Sequence, residues 1–311
     1  MAAHVDARSR LYQCGADLAP LLAFASRSFA ERFPLNANWH PGDVVWELQG
    51  AYDQRQPIRM WSASGAVVAA GWFVGPGQLW LETLPASEAL VPEIVAWAEA
   101  AVRKPPRPGG VTSLSIRAYE RDSRRTEALA RLGYWRSAPE AVCFRMDLTA
   151  PLPVFEPLAG FSTRDCVGVD PEPRAAAHRD AWDHLGHIGL DAARSSFDTE
   201  RYVGLLTAPV YDPGLDILAV GPDGVFVANC IGWADATSGI GLFEPVGTHV
   251  GFRGRGLARL VILEGCRRLK AMGHAWARVG TAHFNAPAIS AYRSCGFELY
   301  DRTSWWAKPL A

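Results

Sequence analysis

A short segment carrying two glycines between arginines separates a strand-like run from a helical pattern. The sequence reads VGTHVGFRGRGLARL over residues 246–260, with RGRG at 253–256. Backbone amides at the start of a helix lack partners within the helix, and with the helix dipole they favour anions. Arginine guanidinium groups add paired donors that match phosphate oxygens. The segment predicts a site for a phosphate-bearing ligand, although a glycine pair alone is equally typical of a plain strand-to-helix turn.

A second cluster of polar and aromatic residues follows downstream. The sequence NAPAISAYRSCGF starts at Asn285, places Tyr292 on a predicted helix and ends at Phe297. An isolated Asn before Ala-Pro is typical of a helix cap, and a lone helical Tyr is typical of a core residue. No Gly-Lys-Ser/Thr follows the first segment, and its glycine spacing is not that of a dinucleotide fold.

Together the two segments resemble the signatures of the GNAT N-acetyltransferase superfamily. Arg-x-x-Gly-x-Ala at 253–258, after a strand and before a helix, is similar to the acyl-CoA pyrophosphate loop of that superfamily. The run 285–297 is similar to its second motif, with an Asn, a Tyr seven residues later and then Gly-Phe. The specific resemblance extends from about Phe161 to Leu310.

The resemblance implies acetyl-CoA as co-substrate and no metal. Two strands, 241–248 and 275–281, would separate and leave backbone groups free for the ligand. Its thioester and pantetheine would contact Val246, Gly247 and Thr248. The pyrophosphate would lie on Arg253, Gly254, Arg255, Gly256, Leu257, Ala258 and Arg259, and Asn285 would bind the cofactor, cap the helix, or do both.

The implied reaction is direct transfer of an acetyl group to the primary amine of a small molecule in a ternary complex. Tyr292 would act as general acid and protonate the departing thiolate. Glu244 lies on the face of the strand that carries Thr248 and is the candidate general base, with a structural carboxylate as the alternative. His249 and His283 are further candidates, each more typical of a packing residue. A non-catalytic acyl-CoA binding or sensing module is the alternative function.

The chain repeats one plan on either side of a proline-rich segment, TAPLPVFEP at 149–157. AVVAAGW in the first half matches VFVANCIGW in the second, each after a glycine-containing turn. LARLGY likewise matches YRSCGF at nearly the same separation along the chain. We predict an α+β protein with two tandem GNAT-like domains, 1–150 and 151–311, each a mixed, mostly antiparallel sheet flanked by helices.

The order of elements in the second half can be predicted from periodicity and turn signals. The predicted strands are 161–166, 215–220, 225–233, 241–249, 275–279 and one through Trp305-Trp306, and the predicted helices are 174–185, 199–206, 257–272 and 286–294.

The first copy lacks the residues that carry the chemistry. The segment equivalent to the loop is LVPEIV at 90–95, without arginine or glycine, and Leu129 takes the tyrosine position. In this respect the chain resembles the tandem-GNAT enzymes, mycothiol synthases among them, with a degenerate N-terminal copy. That copy is expected to have a structural role and not to bind CoA.

Composition sets the remaining expectations. The chain has 311 residues, 49% hydrophobic and 20% charged, with a net charge of −1, so no general attraction to nucleic acid or anionic membranes is expected. Six scattered cysteines fit neither a zinc site nor a disulfide framework. We expect a cytoplasmic monomer or homodimer whose partner is a small-molecule amine. Acceptor specificity is assigned to the region 180–211, with Trp182, His184, His187 and Asp198.

Overall fold

The structure is a computed structural model, and it describes residues 7–34, 36–48, 57–103, 111–155, 158–183, 185–188 and 195–310. The chain forms two compact units. Unit 1 comprises Met1–Val44, Tyr52–Ala141 and Asp301–Ala311, and unit 2 comprises Val45–Ala51 and Val142–Tyr300. Relative to the expected division at residue 150, residues 142–150 lie in unit 2 and the last eleven residues, 301–311, lie in unit 1.

The first half of the chain alternates strands and helices as expected. Its elements are β1 (Arg8–Leu11), α1 (Leu18–Arg32), α2 (Pro41–Trp46), β2 (Ile58–Ala63), β3 (Ala66–Gly75), β4 (Gln78–Thr83), a 3-10 helix (Pro85–Leu90), α3 (Val91–Arg103), β5 (Ser113–Tyr119), α4 (Ser123–Arg131) and β6 (Trp135–Asp147).

The sheet of unit 1 is mixed and mostly antiparallel. Strands β1 to β4 pair antiparallel in sequence order, and β4 pairs with β5 in parallel. The last strand of the chain, β12 (Glu298–Pro309), pairs antiparallel with β5 from Thr303↔Tyr119 to Pro309↔Ser113. Unit 1 therefore takes one strand of its sheet from the far end of the sequence.

The second half contains the predicted elements with small shifts in their ends. They are β7 (Ser162–Asp165), α5 (Pro171–Trp182), a 3-10 helix (Gly186–Ile188), α6 (Thr199–Leu206), β8 (Asp216–Val220), β9 (Phe226–Asp235), β10 (Ile240–Thr248), a 3-10 helix (Val250–Phe252), α7 (Leu257–Ala271), β11 (Trp276–Ala282) and α8 (Ala286–Ser294). Helix α5 begins before the predicted position, because Pro171 suits a first helical turn.

The sheet of unit 2 follows the same plan as that of unit 1. Strands β7 to β10 pair antiparallel in sequence order, and β10 pairs with β11 in parallel. The glycines after α4 and α8, Gly133 and Gly296, both have φ in the left-handed region, at 84° and 92°. These angles agree with the C-terminal glycine caps that the two matching sequence runs predict. The mixed α+β architecture is confirmed in both units.

Helix α7 is anchored in the core of unit 2 by one apolar face. Leu260, Val261, Cys266 and Leu269 are buried, whereas Arg267 on the opposite side is exposed. Burying a Leu or Val side chain contributes about 1.5–3 kcal/mol, so this face fixes the helix on the sheet. The helix start is consequently held at the end of β10.

Other features bear on the expected class of protein. All six cysteines are free thiols, and five of them are buried. None of the helices in the described ranges combines the length and hydrophobicity that crossing a bilayer requires. Within the same ranges, no three His, Cys, Asp or Glu side chains are grouped so as to hold a metal ion.

Candidate functional site

The two central strands of unit 2 separate at their C-terminal ends. The parallel ladder between β10 and β11 runs from Ile240↔Trp276 to Phe243↔Val279, yet β10 continues to Thr248 and β11 to Ala282. A β-bulge at the Glu244-Pro245 step, a cis peptide bond, shifts the register of β10 against β9. Bulges bend a strand away from its neighbour, and proline supplies no N–H to a ladder. The expected separation of these strands is present.

A cavity of about 920 Å³ opens at this separation. Its walls are the ends of β10 and β11, the loop before α7, the first turns of α7 and α8, and part of α5 with the chain after it. Of the thirteen residues predicted to form the site, all but Arg255 line it: Glu244, Val246, Gly247, Thr248, Arg253, Gly254, Gly256, Leu257, Ala258, Arg259, Asn285 and Tyr292.

The loop before α7 has the backbone conformation that its glycines predict. Gly254 and Gly256 have φ of 77° and 78°, in the left-handed region that disfavours side chains. Gly256 is the N-cap of α7, and it provides no side-chain cap for the helix amides. The first turn of α7 also contains no acidic residue. The helix start is thus a suitable anion site whose amides and dipole are not offset by a carboxylate.

The arginines around the loop have different surroundings. Arg253 donates to the backbone carbonyl oxygens of Thr248 at 3.2 Å, Ala181 at 3.0 Å and Asp183 at 3.1 Å. Its guanidinium therefore ties the loop to the end of α5. This contact was not anticipated from the sequence, which assigned Arg253 to phosphate oxygens alone.

The other two arginines lie over aromatic rings. The guanidinium carbon of Arg259 is 4.7 Å from the ring centre of Phe155, and that of Arg255 is 5.1 Å from the ring centre of Phe252. Because Arg255 is outside the cavity lining, its predicted contact with the cofactor rests on the sequence resemblance alone. Arg259 lines the cavity beside the start of α7.

Tyr292 is placed where α8 meets the separated strands. Its side chain is buried, packs edge-on against Phe144 at 5.8 Å between ring centres, and directs its hydroxyl to Gly280 O at 3.4 Å. Burial, together with the neighbouring Cys230 and Glu244, raises the pKa of the phenol well above its ordinary value. Tyr292 is accordingly protonated near neutral pH, which suits a proton donor and not a base.

Glu244 lies at the bulge in β10 and lines the cavity with a half-buried side chain. Its backbone carbonyl accepts a hydrogen bond from Trp233 Nε1 at 2.6 Å, which holds the bulge against the buried indole. The effect of Glu244 on the pKa of Tyr292 shows that the carboxyl group is within electrostatic range of the phenol. The two groups predicted as base and acid therefore line the same cavity, one from β10 and one from α8.

Asn285 combines a helix cap with a position in the cavity lining. Its Oδ1 accepts from Ala288 N at 3.3 Å, and its Nδ2 donates to Thr281 Oγ1 at 2.9 Å. These bonds join the end of β11 to the start of α8. The capping role left open by the sequence is present, and binding of a cofactor by the same side chain stays a prediction.

The histidines that the sequence suggested as bases are not in the lining. His249 Nδ1 accepts from Gly251 N at 3.0 Å, and His283 packs its ring against Phe284 at 5.2 Å between centres. Both have packing or capping roles. Of the residues assigned to acceptor specificity, Trp182 lines the cavity, whereas Asp198 caps α6 through Arg201 N at 3.0 Å. His184 and the side chain of His187 lie outside the described residues.

The lining residues that the sequence analysis did not name include Trp46, His178 and Phe197, the last within the region 180–211 assigned to acceptor specificity. His178 stacks on Trp182, with ring centres 4.2 Å apart and planes 6° from parallel. Their spacing of four residues on one helix is a signal that could have paired them. No local pattern links Trp46, which lies far earlier in the chain, to this cavity.

The corresponding strands of unit 1 also separate. The ladder between β4 and β5 consists of Gln78↔Ser115 and Leu79↔Ile116, while β4 continues to Thr83. The carbonyl oxygen of Leu81 accepts from Arg125 at 2.8 Å and from the Asn38 amide at 2.6 Å. The carbonyl oxygen of Thr83 accepts from Arg32 at 2.8 Å. Side chains of unit 1 itself therefore use backbone groups in this gap.

Those side chains belong to a buried charged network. Arg32 pairs with Glu82 at 2.8 Å and with Asp122 at 3.1 Å, and Arg125 pairs with Glu88 at 3.1 Å. Burial opposes ionisation of Glu88, but Arg125 and Arg32 outweigh it and hold the pKa of this carboxyl below its ordinary value. Asp122 also caps α4 by accepting from Arg125 N at 3.1 Å. We name these five side chains the unit 1 network.

Comparison with known proteins adds independent information on the fold. No family model matches the chain. Over 62 residues the chain is 36% identical to the mycothiol acetyltransferase of Thermobifida fusca, and this segment is 20% of the chain and 19% of that protein. The match therefore spans about a fifth of the length of this curated relative.

Solved structures match over nearly the whole chain. A tandem GNAT protein from the clavulanic acid biosynthesis pathway aligns with a TM-score of 0.66 at 18% identity, covering 98% of both chains. A GNAT-family acetyltransferase from Colwellia psychrerythraea aligns with a TM-score of 0.60 at 14% identity, covering 96% of this chain and 99% of that one. A GCN5-related N-acetyltransferase from Sphaerobacter thermophilus aligns with a TM-score of 0.58 at 21% identity, covering 97% and 95%. At these identities the likeness defines the fold, and the chain has the GNAT acetyltransferase fold in its tandem form.

Proposed function

We propose that the protein is an acetyl-CoA-dependent N-acetyltransferase that acetylates the primary amine of a small molecule. The observation that carries this proposal is a single cavity that joins three features: separated strands, an uncapped helix start behind two left-handed glycines, and a buried protonated tyrosine. Each feature matches one part of a long thioester ligand.

The cofactor would be held along the line from the loop to the strands. Its phosphates suit the amides that start α7 and the Arg259 guanidinium, because no carboxylate stands in that first turn. Backbone groups of Val246–Thr248 would face the thioester end, on the stretch of β10 that extends beyond its ladder with β11. In this arrangement Arg253 positions the loop through its three carbonyl contacts.

Acetyl transfer in this site requires three proton movements. Once the ammonium has lost its first proton, the amine nitrogen attacks the thioester carbonyl carbon, the carbon–sulfur bond breaks and the sulfur leaves as a thiolate. The nitrogen loses its second proton as the amide forms, and that proton restores the general acid. Tyr292 would supply the proton to that sulfur, because its raised pKa keeps the phenol protonated near neutral pH. An alkylammonium must first lose a proton to become a nucleophile, and Glu244 is the lining carboxylate placed to accept it, directly or through water.

We assign no cofactor site to unit 1. The segment before α3 offers neither glycine nor arginine, and Glu93 in the first turn of that helix accepts from Trp61 Nε1 at 2.7 Å. A carboxylate at a helix start opposes anion binding. The unit 1 network already contacts the strand backbone at the equivalent gap. Unit 1 would thus serve as a structural copy.

Calorimetry with acetyl-CoA tests binding directly. We expect one equivalent per chain, and two equivalents would contradict the assignment of unit 1. Turnover should be followed by mass spectrometry of the acetylated amine, because the exposed Cys14 would react with thiol reagents. A chain that binds acetyl-CoA but acetylates no amine would support the second candidate, an acyl-CoA binding or sensing module, in which the loop is kept and Tyr292 has only a packing role.

Tyr292→Phe separates these two functions. Removal of the hydroxyl should lower kcat by about 100-fold, the usual contribution of a general acid, with acetyl-CoA affinity retained. The edge contact with Phe144 is preserved in the variant, so a wild-type rate would reject the proton-donor role.

A further inference from the structure

One side of the cavity is built from four aromatic rings that the transfer chemistry does not use. Trp46, His178, Trp182 and Phe197 all line it, and we call them the aromatic wall. His178 stacks on Trp182 at 4.2 Å and lies 4.7 Å from Phe197. Trp46 lies 5.1 Å from Phe197 and 5.6 Å from His178 between ring centres. The wall is one continuous set of ring contacts within unit 2.

The wall adjoins the strand on which the thioester would lie. A Cβ added at Gly247 would be 2.2 Å from the Trp182 ring and 2.7 Å from Ala181 Cβ. Trp182 is therefore packed directly on the backbone of β10, and glycine is required at position 247 for that approach. An acceptor lying on the wall would have its amine beside the reactive end of the cofactor.

The wall is rigid and uncharged. His178 Nδ1 is bonded to Ser195 Oγ at 2.9 Å, and the ring is 4% exposed. Burial, with the charges of Arg174 and Arg179, holds the pKa of His178 well below its ordinary value. The buried neutral imidazole therefore supports the Trp182 ring from behind and places no cation next to it.

The charges around the wall disfavour a polycationic acceptor. Across the described lining residues, Glu244 is the sole carboxylate, against the three guanidinium groups of Arg201, Arg253 and Arg259. Sites that bind polyamines or aminosugars need several carboxylates to offset the ligand charge. An apolar ring with a single amine matches both the stacked rings and the single carboxylate.

We propose that the acceptor is an arylalkylamine, a primary alkylamine with an aromatic ring, whose ring stacks on the aromatic wall and whose amino group reaches Glu244 and the thioester. This inference rests on the proposed acetyltransferase function and names its substrate class. It excludes polyamines and aminoglycosides as preferred acceptors.

The test compares matched amines with the full-length protein at saturating acetyl-CoA. We expect kcat/KM for 2-phenylethylamine and tryptamine to exceed that for hexylamine, spermidine and kanamycin by about tenfold or more, since ring stacking adds to apolar burial. Equal or better use of hexylamine, spermidine or kanamycin would overturn the proposal, while leaving the acetyltransferase function intact.

Variants test whether the aromatic wall causes the difference in kcat/KM between the amines. Trp182→Leu and Trp46→Leu should raise KM for 2-phenylethylamine by about tenfold and KM for hexylamine by clearly less, because hexylamine has no ring to stack. Trp46 is half-buried, so its variant keeps the test valid if Trp182→Leu fails to fold. The matched control is Trp135→Leu, because Trp135 is 52% exposed in unit 1. Equal losses with all amines would contradict a stacking role.

A protein that binds acetyl-CoA but acetylates no amine is tested by binding instead. Calorimetric titration of 2-phenylethylamine into the CoA-loaded protein should then show binding that Trp46→Leu weakens. Absence of binding would overturn this proposal, whereas absence of acetyl-CoA binding would overturn the proposed function beneath it.

Discussion

Each unit has a gap where two parallel strands separate, and the groups that surround the two gaps differ. In unit 2, β10 extends beyond its ladder with β11, and a cavity of about 920 Å³ lies there. In unit 1, β4 extends beyond its ladder with β5, and Arg32, Asn38 and Arg125 bond to carbonyl oxygens of β4. One gap is lined for a ligand, and the other is satisfied by buried side chains.

The difference shows that one fold can surround the backbone groups of separated strands in two ways. Backbone groups exposed by separated strands need partners wherever they are buried. A ligand, ordered water or the protein itself can provide them. In unit 1 the arginines that do so are themselves neutralised by Glu82, Glu88 and Asp122. Unit 1 thus satisfies backbone groups of its separated strand with its own side chains.

Breaking the unit 1 network should have the largest effect. Arg125→Ala removes one of the two donors to the Leu81 carbonyl and one of the two arginine partners of Glu88, so the free energy of unfolding should fall by about 3 kcal/mol. Chemical denaturation would measure it. Arg131→Ala on the same helix is the matched control, since that arginine is 71% exposed. Affinity for acetyl-CoA in the folded fraction should not change, and a parallel loss would contradict the division of roles between the units.

Disrupting the loop before α7 in unit 2 should lower the affinity for acetyl-CoA. Gly256→Glu places a carboxylate at the start of α7 and should weaken acetyl-CoA binding by about 100-fold, through like-charge repulsion with the phosphates. Gly273→Glu is the matched control: Gly273 also has a left-handed φ, 87°, and it follows the other end of α7. Both variants carry the same backbone strain. Equal losses of affinity would remove the loop from the site.

The smallest expected effect is a dependence of the free energy of unfolding on pH, which differs between the two units. His178 is held neutral in the folded protein, so unfolding takes up a proton below its ordinary pKa of 6.5. Stability is therefore complete above pH 6.5 and falls as the pH drops below it, by at most about 1.4 kcal/mol per pH unit. His178→Phe should flatten this part of the profile. An unchanged slope between pH 7 and pH 5 would contradict a buried neutral imidazole.

The stability contributed by the unit 1 network is lost at a lower pH than the stability linked to His178. The pKa of Glu88 is held below its ordinary value of 4.5, so the stability that this carboxylate contributes is present above pH 4.5 and lost below it. His178→Phe should leave that loss unchanged. The comparison of the units can thus be made in one acid titration.

Sequence reasoning succeeded where the determinants are local. The loop glycines, the Asn285 cap and the alternation of strands and helices are all encoded within a few residues of where they act, and the structure shows each of them. The separation of β10 from β11 was expected from the family resemblance, and the bulge at Pro245 accounts for it.

The remainder depends on contacts between distant segments. The sequence did not predict that carbonyl oxygens at the end of α5 bond to the Arg253 guanidinium, and its contact with phosphate stays a prediction. Trp46 joins the aromatic wall from far earlier in the chain, and Arg32 reaches β4 from α1. Such pairings are set by tertiary packing, and no periodicity in a single segment encodes them.

The position of β12 has a consequence for how the chain is made. Residues 303–309 pair with β5 inside unit 1, so that unit, although it begins first, lacks a strand until the far end of the chain has been synthesised. During translation most of unit 2 is synthesised before β12, so the edge of β5 that pairs with β12 stays unpaired until then. A ribosome-bound chain that ends before Asp301 would therefore contain all of unit 2, but its unit 1 would still lack one strand. Pairing of β12 with β5 would complete unit 1 only after unit 2 has been synthesised.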